Sequence, residues 1–210
     1  MKYINLIWDF DGMLFNTYPR MTVAFQKALI EYGIHAPYDE VLSRIKIRVG
    51  GAAALYAQVH GLDKQAIFNR YQVHEHAMPD DTIIPYEGMC QLLRDARNAG
   101  CRHFLYTHRD HTALSALRRH GLYELFSGFV TESDGFPAKP APDALLSILS
   151  RHGLDRSASL MLGDRSIDIQ AARNAGLCGC LFDPDHFYDD FENEMRTHSV
   201  KELRMLLEID

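Results

Sequence analysis

The chain has 210 residues, 47% of them hydrophobic, with 28 acidic side chains against 22 lysines and arginines. That is enough apolar material for the core of one domain, or of one domain carrying a large insertion. A formal charge of −6 supplies no general basic field for nucleic acid, and the apolar runs fall far short of the roughly 20 residues of a membrane span, so neither partner is expected. Met1-Lys2-Tyr3 leads straight into an apolar run and leaves no room for a signal peptide, which makes the cytoplasm the expected compartment. Nothing in the sequence sets an oligomeric state.

The first predicted element is a buried strand from Ile4 to Trp8, a short apolar run rich in β-branched and aromatic residues. It runs into Asp9-Phe10-Asp11-Gly12. Carboxylates at the tip of a buried strand are costly unless paired or bound to metal, so this tip is a candidate site. Gly12 lets the backbone turn away from it. The pattern then becomes helical. Phe25, Leu29 and Tyr32 fall on one face before Gly33, and further helices are expected over 39–47, 51–60 and 63–76. No stretch between 16 and 80 reads as a strand. Pro79, Pro85 and Gly88 mark a hinge back to the first unit.

From residue 89 helices and strands alternate. Strands are predicted at 101–106, 125–130, 159–162 and 177–182, and helices at 89–99, 113–120, 145–152, 166–175 and 200–207. Such alternation implies a doubly wound, Rossmann-like parallel sheet with helices on both faces. The organisation is an α/β core from residues 1–15 and 84–210, with an α-helical domain, 16–83, inserted after the first strand. The four cysteines, Cys90, Cys101, Cys178 and Cys180, read as reduced and buried. Alternation puts Cys178 and Cys180 on one face. His74-Glu75-His76 reads as a solvated helix face.

In a doubly wound sheet, ligands bind at the C-terminal ends of the strands. Asp9 and Asp11, Thr107, Lys139 and Asp164 with Asp168 all fall there, each group after a different strand. Clustered carboxylates call for a hard cation such as Mg²⁺, which takes few protein oxygens and keeps waters. A hydroxyl and an ammonium beside them suit an anionic phosphate. A carboxylate nucleophile would form an aspartyl-phosphate, and a second acid could protonate the leaving oxygen and then activate water. The chemistry these groups suit is phosphoryl transfer.

Asp9-Phe10-Asp11-Gly12-Met13, Thr107, Lys139-Pro140-x-Pro142-Asp143 and Gly163-Asp164-x-x-x-Asp168 together resemble the haloacid dehalogenase superfamily, in order and spacing, across nearly the whole chain. The insertion after the first strand is similar to that family's small helical cap. The resemblance implies Asp9 as nucleophile and Asp11 as general acid and base. It implies Mg²⁺ held by Asp9, the Asp11 carbonyl and Asp164, with Asp168 in support. It implies phosphate held by Thr107, Lys139 and the backbone N–H groups of Phe10 and Asp11. An acid at position 11 speaks against the dehalogenase and phosphonate-cleaving branches. Val49-Gly50-Gly51-Ala52 looks more like the caps of phosphoglycolate-phosphatase-type members than those of the β-phosphoglucomutase type.

Thr107-His108-Arg109-Asp110 departs from the family pattern. His108 either touches substrate or caps the following helix. Arg44, Lys46 and Arg48, just before Gly50, are candidates for recognising an anionic group remote from the phosphate. The expected activity is a Mg²⁺-dependent phosphatase acting on a small phosphorylated metabolite. The competing readings are a phosphomutase of the same fold and, from another class, a receiver-like or non-catalytic phosphate-binding regulator.

Overall fold

The computed structural model describes residues 1–193 and 195–209. The chain divides into two compact units, one from residues 1–15 and from 85 onward, the other from residues 16–84. Ile84 goes with the helical unit, one residue past the expected boundary. Its carbonyl accepts the N–H of Asn16 at 2.9 Å, which ties the return of the insertion to its start.

Strand β1 (Asn5–Trp8) is buried along its whole length. A strand covered on both faces has no solvent side to encode, so it appears in sequence as an unbroken apolar run. Ile4 stays outside the strand and is exposed.

Within the insertion, four helices follow: α1 (Tyr18–Ile30), α2 (Tyr38–Ile47), α3 (Val49–His60) and α4 (Lys64–His76). Helix α1 buries Met21, Ala24, Phe25, Ala28 and Leu29, an apolar stripe at helical spacing. It packs against α4 and α2 around Val41, Ile45, Ala53, Tyr56, Ile67 and Tyr71. Each large apolar side chain so buried is worth roughly 1.5–3 kcal/mol. Helix α1 stops at Ile30 rather than running through Tyr32. Gly33, at φ 72°, turns the chain while Ile34 N–H donates to Leu29 O. Asp63 caps α4 by accepting the N–H of Ala66 at 2.7 Å.

Glu75 corrects the expectation of a solvated face at 74–76. It is buried and paired with the equally buried Arg20, Nε to Oε1 3.0 Å. Arg20 also donates to Pro79 O at 3.1 Å, Thr82 Oγ1 at 2.7 Å and Glu75 O at 2.6 Å. The guanidinium thus joins α1 to the end of α4 and to the chain leaving it. Polar neighbours at His74 and His76 disguised a residue whose partner lies 55 positions away.

The other unit continues with α5 (Met89–Asn98), β2 (Arg102–Tyr106), α6 (Thr112–Arg119), β3 (Phe126–Val130), α7 (Asp143–His152), β4 (Ser159–Gly163), α8 (Ser166–Asn174), β5 (Cys178–Phe182), β6 (Met195–Thr197) and α9 (Val200–Leu206). Among the described residues the sheet has the order β3-β2-β1-β4-β5-β6, with every pair parallel. This is the doubly wound α/β architecture. Trp8 lies level with Leu105 on one side and Leu162 on the other, so β1, β2 and β4 deliver their following residues to one rim. Trp8 Nε1–H donates to His103 Nδ1 at 3.0 Å, and His103 Nε2 lies 3.0 Å from Leu93 O. The imidazole therefore carries its proton on Nε2 and links β1, β2 and α5.

The structure adds β6, which the sequence reading lacked. Three residues, Met-Arg-Thr, with only Thr197 buried, make too short a run to show a period. All four cysteines are free, but Cys178 is exposed where Cys180 is buried. The two share a face, as alternation requires. Pairing with β6 begins only at Cys180, so the start of β5 lies beyond that cover. Among the described residues no helix is long and apolar enough to cross a membrane.

Candidate active site

The site begins where β1 ends. Asp9 N–H donates to Leu162 O at 2.8 Å, which extends the sheet pairing by one residue. The chain then turns through Gly12 at φ 79°, a conformation that disfavours any side chain. Gly12 N–H closes the turn on Phe15 O at 2.8 Å, and Leu14 and Phe15 both donate to Phe10 O. Phe10 and Phe15 stack at 4.4 Å beneath it. The two carboxylates thus stand on a hydrogen-bonded loop anchored by buried aromatic rings.

Asp9 meets Lys139, from the loop between β3 and α7. Both are buried, and Lys139 Nζ donates to Asp9 Oδ1 at 2.7 Å. The ammonium also contacts Asp168 Oδ1 at 2.7 Å and Tyr106 O at 3.0 Å. The ammonium is thus hydrogen-bonded to Asp9 and Tyr106 and ion-paired with Asp168. Asp168, one turn into α8, accepts Arg165 N–H on its other oxygen at 3.0 Å. Asp164 follows Gly163 at the tip of β4, and a Cβ on Gly163 would stand 2.3 Å from Asp168 Cβ. Only glycine permits this approach of strand and helix.

The Arg165 guanidinium lies 4.0 Å from Asp9 Oδ2, 3.8 Å from Asp164 Oδ1 and 3.9 Å from Asp168 Oδ2. Sequence reasoning missed it, because an arginine after Gly-Asp reads as a surface residue at a turn.

Burial pushes the Asp9 carboxyl up to about 6, against the pull of Lys139. Burial works against the charged forms of Asp168 and Lys139 too, but each is outweighed by its partner. Lys139 and Arg165 bring Asp168 below the usual carboxylate range, and Asp168 and Asp9 raise Lys139. Asp9 Oδ2 is buried without a hydrogen-bond partner. One oxygen each of Asp9, Asp164 and Asp168 lies within 4.8 Å of the others. A buried, orphaned carboxylate oxygen in such a set fits a hard divalent cation, which prefers oxygen ligands. Asp168, with both oxygens engaged, fits a supporting place rather than a direct one.

The remaining candidates come from the loop after β2. Thr107 is buried, its N–H donates to Val130 O at 3.0 Å, and its Oγ1 accepts Arg109 N–H at 3.0 Å. That leaves the hydroxyl proton to donate. His108 does not cap the following helix. Its Nε2 accepts the Lys139 backbone N–H at 3.1 Å and so steadies the Lys139 loop. The cap for α6 comes instead from Asp110, whose Oδ1 accepts Thr112 N–H at 3.0 Å. Asp11 is gripped by Arg109, with Nε at 2.9 and 3.1 Å from the two carboxylate oxygens and Nη2 at 2.8 Å from Oδ1. Nothing in the sequence pairs residues 98 positions apart.

Arg44, Lys46, Arg48 and Gly50 belong to the helical unit. Arg44 and Arg48 are exposed. Lys46 differs from them in being buried. Two positions along α2 from Arg44, it faces the helical core, and its ammonium lies 5.4 Å from the centre of the Tyr18 ring. A Cβ on Gly50 would meet nothing within 4 Å, so packing does not require glycine there.

Comparison with known proteins places this geometry among relatives. Residues 6–181 match the model of the haloacid dehalogenase-like hydrolases. The pyrophosphatase PpaX of Halalkalibacterium halodurans is 32% identical over 84% of this chain and 82% of its own. The N-acetylmuramic acid 6-phosphate phosphatase of Pseudomonas aeruginosa is 30% identical over 84% of this chain and 80% of its own. Among solved structures, a hydrolase from Streptococcus pneumoniae superposes with a TM-score of 0.69 at 32% identity, covering 100% of both chains. With a family match over most of its length and relatives of this identity, the chain belongs to the haloacid dehalogenase-like hydrolases.

Proposed function

We propose that the protein is a phosphatase that hydrolyses a small phosphorylated metabolite through a phosphoryl group carried on Asp9. One observation carries this reading. The buried carboxylate of Asp9 is fixed through Oδ1 by Lys139, while Oδ2 has no hydrogen-bond partner. A nucleophile held at one end and bare at the other is aimed without being quenched. Both PpaX and the N-acetylmuramic acid 6-phosphate phosphatase carry names of phosphate-releasing enzymes, which supports the same class of reaction.

In this reading an oxygen of the Asp9 carboxylate forms a bond to phosphorus as the bond to the leaving oxygen breaks. Asp11 delivers a proton to that oxygen, then takes one from the water that attacks the phospho-aspartate and frees phosphate. The Thr107 hydroxyl and the N–H groups of Phe10 and Asp11 hold the phosphoryl oxygens. Lys139 contributes charge and orientation, being hydrogen-bonded to Asp9 and Tyr106 and ion-paired with Asp168. Mg²⁺ would be held by Asp9, Asp164 and the Asp11 carbonyl, positioned by Asp168. When bound it screens the repulsion between phosphate and carboxylates. In the helical unit, exposed Arg44 and Arg48 are the residues suited to a remote anionic group.

The test is phosphate release from an aryl phosphate and a panel of phosphorylated metabolites, with Mg²⁺ and with excess chelator. Release that needs Mg²⁺ and disappears in Asp9→Asn supports the reading. Activity undiminished by chelator removes the metal role, and isomerised sugar phosphate without net phosphate release turns the reading to a mutase.

A further inference from the structure

The loop after β2 carries a group that the reaction above does not use, the Arg109 guanidinium. Its side chain is only 7% exposed. It lies 5.7 Å from the centre of the Phe10 ring, and Nη1 reaches Thr112 Oγ1 at 3.5 Å. Its own N–H is tied to Thr107 Oγ1, so any movement of the arginine backbone is coupled to the proposed phosphate-binding hydroxyl. Nε and Nη2, the two donors that make up one fork, both face Asp11.

We propose that Arg109 binds a second anionic group on the leaving side of the substrate, taking that group in exchange for Asp11. The inference rests on the phosphatase reading and names its substrate class. For Asp11 to protonate the leaving oxygen, that oxygen must come within hydrogen-bond reach of the Asp11 carboxyl. It then lies beside Arg109, whose nitrogens are already 2.8–3.1 Å from the same carboxyl.

As it stands, the fork occupies both oxygens of Asp11, so the acid cannot turn to the substrate without giving up charge-assisted bonds. A neutral leaving group offers nothing in return. A carboxylate or phosphate has the planar or tripodal oxygen geometry that a guanidinium fork matches bidentately. It can take over Arg109 at little net electrostatic cost. The anion must also sit within a few bonds of the scissile oxygen, because Asp11 and Arg109 are in direct contact. The substrate class is therefore a compact phosphate ester or anhydride whose leaving group bears its own negative charge close by, such as the phosphate ester of a short hydroxy acid or a diphosphate. A lysine here would supply charge without the fork.

The experiment compares kcat/KM for 2-phosphoglycolate with that for 2-hydroxyethyl phosphate, which replaces the carboxylate by a neutral alcohol at nearly the same size. Pyrophosphate forms a third arm that separates a carboxylate from a phosphate as the preferred anion. In the wild type at least one anionic substrate is expected to exceed the neutral ester. In Arg109→Gln the anionic-to-neutral ratio should fall by about 10- to 100-fold, the worth of one charge-assisted contact, with Arg109→Lys in between. The ratio is read rather than either rate, so a general loss from a shifted loop does not imitate the result. A ratio preserved within about threefold in both variants overturns the proposal, as does a wild type that favours the neutral ester. Hydrolysis of an aryl phosphate by the wild type, run in parallel, distinguishes the cases: turnover there with an unchanged ratio sinks only the role of Arg109, whereas no turnover sinks the phosphatase reading beneath it.

Discussion

The two units each bury an ion pair, and the pairs are finished differently. In the helical unit Arg20 reaches Glu75 Oε1, Glu75 O, Pro79 O and Thr82 Oγ1, so the charge is surrounded by partners. In the α/β unit Lys139 satisfies Asp9 at Oδ1 and leaves Oδ2 bare in a buried place. Burial of charge is expensive in both cases. Where the cation is surrounded by four oxygens, the pair reads as a fastener between helices. Where one oxygen is left over beside two more carboxylates, the cost has no structural return, and a ligand is the physical reason to keep it.

Substitution at each pair tests this contrast. Asp9→Asn should lower kcat by at least ~10³-fold, the loss seen when a nucleophile is removed, while the melting temperature holds or rises because a strained buried carboxylate is gone. A drop of several degrees with residual turnover would assign Asp9 a structural part. Arg20→Met should do the reverse. It leaves Glu75 buried and uncompensated, at a cost of about 3–5 kcal/mol, measured by denaturant unfolding. The double variant Arg20→Met with Glu75→Leu should recover much of that loss, since no buried charge remains. A further loss in the double variant would mean that the pair contributes more than its charge.

Mg²⁺ distinguishes the same two places without changing the basal fold. At 100 times its dissociation constant a ligand of the folded state adds about 2.7 kcal/mol. We expect Mg²⁺ to raise the melting temperature of the wild type and of Arg20→Met by equal increments, and not to raise that of Asp164→Ala. An equal increment in Asp164→Ala would place the ion elsewhere.

The contrast also marks what sequence could disclose. Asp9, Thr107, Lys139 and Asp164 were placed at strand ends because strands, turns and helix stops are local patterns, and the parallel register then brings their tips level. Arg109 on Asp11, Arg20 on Glu75 and His108 under the Lys139 N–H are pairings across long stretches of chain, and no local period encodes them. Arg165 was passed over for a related reason. Its residue type suggests solvent, whereas its place beside three acids follows only from the meeting of β4 with β1. Cys178 shows the converse failure. Its face was readable, but the point at which a neighbouring strand begins to cover it was not.

The smallest expected effect concerns a third buried polar group, one whose completeness depends on pH. His103 accepts from Trp8 Nε1–H at Nδ1 and donates from Nε2 to Leu93 O, so the neutral ring is fully used. Protonating Nδ1 would set two donors against each other inside the core. Burial accordingly holds the imidazole down at about 4 against an ordinary 6.5, although its bond to Leu93 favours the charged form. Since the folded value is depressed, the unfolded chain binds the proton first as the solution is acidified. Stability from this group is complete above about pH 6.5, falls between 6.5 and 4, and levels off below that, by about 3 kcal/mol in all. His103→Gln keeps an acceptor for Trp8 and a donor for Leu93 but does not titrate. Unfolding followed by the fluorescence of Trp8, the chain's one tryptophan, should show a shallower loss of stability in the variant across this window, while both proteins keep whatever slope other groups impose. Parallel slopes would mean that the Trp8–His103 bond survives acid. The contrast drawn from the two ion pairs, that a charge ringed by protein oxygens marks structure and a carboxylate left open beside two others marks function, would then need a case in which the interior tolerates the mismatch.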